Sequence, residues 1–367
     1  MKATGAVLPE QRKSKKVYYE WIRLIACFFV IFNHLKGYRL FMNASGIKQV
    51  FYMAVSVITK INVPLFFMVS GALLLEKQED VATVLKKRVS RICLVILLFE
   101  LGIYTECRLY ALAQGRDYEF AVKRFVYGML AKNLDETGAY WYLYAYLGFL
   151  LLLPFLQRIA RQMSRNEFYL LLGLHFFLFS LLPVCNLFLS LTGNESISIA
   201  EEFSVPLAST AAFFYPLIGY YLDHKIEIRE LSGRKRARIG AAAFTGLFLS
   251  CLCVYLDGAA GENYIVLFDY LLAMTVFLLV KYAVTVRFPA LSTGRISTAV
   301  CFTGSLTFGI YLLDHYFKLI LYDSYETFAE GFLPSVFASF GWCVISMFLG
   351  GSVTFLLKKL PLFRKIL

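Results

Sequence analysis

Polar residues interrupt this chain at intervals, and between them run ten stretches dominated by apolar side chains. They cover 22–41, 50–75, 92–113, 140–157, 168–191, 205–222, 239–256, 264–286, 299–321 and 335–357. As α-helix, about 20 apolar residues cross the roughly 30 Å hydrocarbon core of a bilayer, so each stretch suffices for a span, several with tilt or a break. The pattern predicts an all-α, polytopic membrane bundle of about ten transmembrane helices. In the second stretch Lys60 and Asn62-Val63-Pro64 interrupt the apolar run. Proline lacks a backbone donor, so a discontinuous helix is expected there. The longest connection, 114–139, carries Phe120, Val122, Phe125, Val126 and Met129. That spacing predicts a short amphipathic helix lying on the membrane surface. No clear repeat and no low-complexity linker divides the chain, so one membrane domain is expected at 18–357. A basic segment at 1–17 and a short basic tail at 358–367 flank it, with neither a cleaved leader nor an added soluble domain expected.

Composition narrows the class. With 59% hydrophobic and only 17% charged residues, the chain is no disordered polymer, collagen-like fibre or small disulfide scaffold. Its 37 basic and 25 acidic residues leave a net charge of +12, which on a soluble protein would point to nucleic acid. Position decides otherwise. With the N-terminus inside, the inward-facing segments hold 27 of the 37 basic residues and the outward-facing ones 8, while Lys60 and Lys318 fall within spans. This asymmetry predicts both termini in the cytoplasm and no nucleic-acid partner. The eight cysteines lie mostly in apolar runs, and Cys251-x-Cys253 lacks metal-site spacing, so inert buried thiols and no metal site are expected.

Ionisable groups are expensive in hydrocarbon, so those left inside the spans carry the functional information. Arg23 and His34 are eleven residues apart. At 100° per residue they share a face, about 16 Å apart along the helix. Glu20, three residues before Arg23, is placed to pair with it. Ser70 and Gly71 allow close backbone approach between helices. Arg88 and Arg91 lie at i, i+3 and predict two guanidinium forks on one face, suited to phosphate or to a plain positive-inside anchor. Trp141 and Tyr142 open an aromatic span. Tyr311, Asp314, His315 and Lys318 cluster in another, with Asp314 and Lys318 spaced to pair. His175 is expected to be a hydrogen-bonded packing residue, and His224 to be solvated at a helix end beside Asp223. Two classes fit these residues: an enzyme moving a group across the membrane, or a transporter of an envelope precursor or small polar solute, proton-coupled through His34 and His315.

The ordered series of segments resembles the acyltransferase 3 family of integral membrane acyltransferases. It begins with Glu20-x-x-Arg23 and His34, and continues through PLFFMVSGALLL (64–75) and the pair Arg88 and Arg91. AYWYLYAYLGFLLLLPFL (139–156), FFYPLIGYYL (213–222) and SLTFGIYLLDHYF (305–317) follow in order. Glu20 stands where the family usually has aspartate. The resemblance implies transfer of acetyl from cytoplasmic acetyl-CoA, used as a substrate with no tightly bound cofactor, to a hydroxyl of a cell-surface polysaccharide or lipid-linked sugar. It implies His34 as the catalytic histidine, Arg23 as its partner, and Arg88 and Arg91 facing the coenzyme's phosphates, all in the cytoplasmic membrane. An acceptor pocket of Trp141, Tyr142, Tyr311 and His315 is expected from their stacking and hydrogen-bonding capacity.

Overall fold

The computed structural model describes residues 16–116, 121–132, 134–200, 202–331 and 333–367. Most of the basic N-terminal segment, and Phe120 of the expected amphipathic helix, lie outside the described residues. The described residues are 83% helical, with no strand among them. The principal helices are α1 (Val17–His34), α2 (Gly46–Thr59), α3 (Asn62–Leu74), α4 (Ser90–Ala113), α5 (Val122–Ala131), α6 (Trp141–Leu151), α7 (Leu153–Gln162) and α8 (Arg165–Leu191). They continue with α9 (Ala211–His224), α10 (Gly233–Asp257), α11 (Asp269–Arg287), α12 (Gly294–Gly304), α13 (Thr307–Glu330), α14 (Ser335–Leu357) and α15 (Pro361–Ile366).

Five units are long and apolar enough to cross a membrane: α2 with α3, then α8, α10, α11 and α14. Three bent pairs bring the number to eight if each is one span: α1 with the turn after it (49°), α6 with α7 (68°) and α12 with α13 (53°). Outward-facing Phe244, Phe248, Val344 and Phe348 suit helices bounded by hydrocarbon. The chain is a multi-pass membrane protein. Two expected spans fall short of the test. α4 has 24 residues but carries Arg91, Glu100, Glu106 and Arg108, and α9 has only 14 residues. Both are packed against the bundle by contacts hydropathy does not register, α4 along one face and α9 nearly all round. Glu100 is buried and accepts a hydrogen bond from the Tyr144 hydroxyl at 3.0 Å, while nearly the whole of α9 is buried.

The expected break at Asn62-Val63-Pro64 is slight. The helix lapses only at Lys60 and Ile61, and α2 and α3 run on as one 29-residue span. α3 then crosses α9 backbone to backbone. A Cβ on Gly71 would strike the Pro216 carbonyl, and one on Gly219 would strike the Met68 carbonyl, so each helix lays a glycine against the other's main chain. α1 is the central element, packed against α3, α11, α12, α13 and α14, with Ile22, Ala26, Cys27, Ile31 and Phe32 wholly buried. The amphipathic helix is α5. It buries Phe125 against Tyr104 but leaves Val122 and Val126 exposed.

Candidate functional site

One flank of α1 borders a cavity of about 940 Å³ that extends past both Arg23 and His34. Of the nine candidate residues, seven line it: Arg23, His34, Arg91, Trp141, Tyr142, Tyr311 and His315. Glu20 and Arg88 do not.

At the Arg23 end, Glu20 is buried behind the guanidinium, whose Nη1 donates to both carboxylate oxygens at 3.1 and 3.2 Å. Gly304 makes this possible, because a Cβ there would occupy the space of the Glu20 carboxylate. The helix breaks just beyond, and the first residues of α13, Thr307 and Phe308, reach the cavity. A helix N-terminus carries partial positive charge and free N–H donors, so this end favours anions. Arg91 reaches the same end, its Nε donating to the Ile366 carbonyl at 3.0 Å and its guanidinium 5.8 Å from the centre of the Phe308 ring.

The expected two-arginine fork is divided. Arg88 turns away to clasp Glu79 through Nε (2.5 Å) and Nη2 (2.6 Å). That bond holds the Glu79 carboxyl, in the connection before α4, below the usual carboxylate range. The cause is local geometry. Residues Val84–Val89 form a π-helical turn, so the i, i+3 register assumed for a regular helix does not carry from Arg88 to Arg91.

At the other end, His34 Nδ1 lies 2.8 Å from Asp314 Oδ2, and the second oxygen of Asp314 accepts from Ser346 Oγ at 2.6 Å. Asp314 is completely buried. An ionised carboxylate only accepts, so Nδ1 carries a proton, and in the neutral ring Nε2 is then the nitrogen with the lone pair. The expected pairing of Asp314 with Lys318 is replaced. Lys318 donates instead to the backbone carbonyl of His34, placing a cation at the C-terminal end of α1 where the helix dipole favours one. The Tyr311 hydroxyl donates to the Ala139 carbonyl at 2.9 Å, its ring is 6.1 Å from the imidazole, and Tyr142 meets it edge-on at 5.9 Å. Beside His34, Asn33 donates to the Thr59 carbonyl at 2.9 Å, while its buried Oδ1 meets no donor among the described residues.

The remaining histidines separate clearly. His175 is a packing residue that also borders the cavity, stacked on Phe214 with Nδ1 2.7 Å from the Ala208 carbonyl. His224 is not solvated as expected. Its side chain stacks on Tyr220, with Nε2 2.9 Å from the Ala72 carbonyl and 3.3 Å from Asp223. Asp223 is itself a buried hub accepting from Lys16 and Tyr19 at 2.7 and 2.6 Å, and from Tyr18.

This arrangement offers an imidazole base fixed by a carboxylate, a cationic end for an anionic group, and an aromatic wall between them. No match was found among curated proteins or among solved structures. A family model described as an acyltransferase domain, that of acyltransferase 3, matches residues 16–356 and thus contains every residue of this arrangement except Ile366; the chain therefore belongs to that family of membrane acyltransferases.

Proposed function

We propose that this protein transfers acetyl from acetyl-CoA to a hydroxyl of a cell-surface polysaccharide or lipid-linked sugar. The observation that carries the reading is the His34–Asp314 pair opening on a cavity that also holds Arg23 and Arg91. In this reading the coenzyme's phosphates lie at the end of Arg23, Arg91 and the start of α13, with Arg88 available once released from Glu79. The pantetheine arm then runs along α1, whose rise of about 16 Å separates Arg23 from His34. His34 Nε2 takes the proton from the acceptor hydroxyl as its oxygen attacks the thioester carbonyl. The tetrahedral intermediate collapses by breaking the carbon–sulfur bond, and the imidazolium returns its proton to the leaving thiolate. Asp314 holds the ring and stabilises the imidazolium in between. Trp141, Tyr142, Tyr311 and His315 border the sugar, and Asn33 Oδ1 accepts from one of its hydroxyls.

We propose further that α4 and α9 complete ten crossings, with both termini on the cytoplasmic side of the cell membrane. The supporting observation is the distribution of basic residues, 27 of 37 in the inward-facing segments.

The test is transfer of radiolabel from acetyl-CoA to cell-envelope glycan by the purified protein. Wild-type protein labels the glycan, and His34→Ala lowers the rate by about 10²- to 10⁴-fold, the range for a positioned general base. Undiminished transfer by His34→Ala would overturn the assignment.

A further inference from the structure

Charge in the cavity is lopsided. Among the described residues that line it, five side chains are cationic, Arg23, Lys36, Lys60, Arg91 and Lys318, against one carboxylate side chain, that of Asp269. Asp269 is engaged by the Tyr215 hydroxyl at 2.8 Å. The arginines take one end; at the other, Lys36 and Lys318 stand with His34, and Lys60 lines the same cavity on the side of Asp269. Lys36 follows His34 by two residues, in a left-handed backbone conformation (φ 57°). Lys60 adjoins Thr59, whose carbonyl is bonded to Asn33, and its ammonium stands 3.4 Å from the centre of the Tyr38 ring. Lys318 donates to the His34 carbonyl.

Aromatic ring and carbonyl are neutral partners. None of these lysines makes an ion pair among the described residues, and Glu262, on the neighbouring connection, is already clasped by Arg39 at 2.5 and 2.7 Å. An ammonium has three donors, so even Lys318 keeps two for a ligand. Three ammonium groups against one lining carboxylate leave this end of the cavity with an excess of positive charge that an arriving anion would pair with. In the acyl-transfer reading the donor's phosphates are served by Arg23 and Arg91, about 16 Å away along α1, and leave this end unpaired.

We propose that the acceptor carries an anionic group, a carboxylate or a phosphate, bound by Lys36, Lys60 and Lys318 beside His34, and that the site therefore selects anionic glycans over neutral ones. The word acceptor rests on the acyl-transfer reading above; the anion site does not. Geometry also limits where the charge sits on the ligand. Lys318 is one helical turn from Asp314, about 6 Å, so the anion belongs to the sugar being acylated or to its immediate neighbour.

Binding to the purified full-length protein tests this without turnover. Glucose, glucuronic acid and glucose 1-phosphate are compared at matched concentrations by their effect on thermal unfolding. The anionic sugars are expected to stabilise the protein and glucose is not. Lys36→Gln and Lys60→Gln each weaken the anionic sugars about tenfold or more, as loss of a charge-assisted hydrogen bond does, and Lys60→Arg retains them. Tighter glucuronic acid identifies a carboxylate source and tighter glucose 1-phosphate a phosphate source; either supports the site. Equal stabilisation by glucose, or unchanged binding of the anionic sugars in both glutamine variants, overturns it. So does a loss of affinity for acetyl-CoA in those variants with the sugars unaffected, since the lysines would then serve the donor. Anionic-sugar binding without any acyl transfer would overturn the acyl-transfer reading and leave the anion site standing, whereas transfer to neutral glycan alone would do the reverse.

Discussion

Asp314 decides what His34 can do. An imidazole inside a bundle has two tautomers, and only one presents a lone pair on the nitrogen that faces away from the carboxylate. Asp314 selects that tautomer at 2.8 Å and is itself anchored by Ser346 at 2.6 Å. Asp314→Asn keeps the shape but offers an amide that can face Nδ1 with either donor or acceptor, so the tautomer is no longer dictated. Acetyl transfer by this variant is expected to fall by about 10²-fold or more with little change in acetyl-CoA affinity, read as a split between kcat and KM. Undiminished transfer by Asp314→Asn beside a loss in Asp314→Glu, with unfolding unchanged in both, would instead mark a demand for shape alone. The sequence made half of this visible. Glu20, Arg23 and His34 lie on one helix, where 3.6-residue geometry fixes which side chains share a face. Asp314 comes from a helix 280 residues away, and a local rule assigns it to Lys318, four residues on, because spacing sees no partner across the fold. The Arg88–Arg91 fork fails for a related reason: its spacing argument assumes a regular helix, and a π-helical turn intervenes.

The crossing of α3 with α9 holds the cavity wall at the level of elements. α3 supplies Asn62, Pro64, Phe66 and Ser70 to the lining, and α9 supplies Ala211 and Tyr215. Gly219 and Gly71 let the two main chains touch, so a side chain at either must push helix from helix. Gly219→Leu is expected to cost about 1–3 kcal/mol or more from overpacking, seen as a lower unfolding temperature and a loss of acetyl transfer. Gly148→Ala is the contrasting case. It lies within α6, a Cβ there meets nothing within 4 Å, and the alanine gains helix propensity, about 0.5–1 kcal/mol of stabilisation. If the two variants shifted unfolding in the same direction, the crossing would not have the tightness described. Hydropathy located these elements because a span needs a continuous apolar run. It could not foresee that α9 is only 14 residues long, since its apolar content serves burial among other helices rather than contact with lipid. Nor could it foresee how little Asn62-Val63-Pro64 bends the span, because proline in the first turn of α3 removes a donor that has no partner in any helix.

Taken as a whole molecule, the proposed ten crossings sort the connections into two groups, and the tertiary contacts keep to that sorting. Arg39, after α1, pairs with Glu262, after α10; Tyr144, at the start of α6, bonds the Met129 carbonyl; and Tyr325, late in α13, bonds the Ala338 carbonyl. These fall on the proposed outer side. Lys225 bonds the Arg161 carbonyl, Gln157 the Leu74 carbonyl, Arg91 the Ile366 carbonyl and Lys16 the Asp223 carboxylate, all on the proposed inner side. Parity makes the scheme testable. If α4 and α9 both cross, or neither does, the two ends of the chain share a side; if only one crosses, they do not. Single cysteines at Lys77, Asn194, Arg229 and Lys365, placed in a background freed of native cysteines such as exposed Cys93, are expected to divide cleanly under a membrane-impermeant thiol reagent added to intact cells. Asn194→Cys reacts, and the other three react only after the membrane is opened. Reaction at Arg229 from outside would remove α9 from the crossings. Reaction at both Arg229 and Lys365 but not at Lys77 would also separate the two ends of the chain, and the inward excess of basic residues would then need another cause.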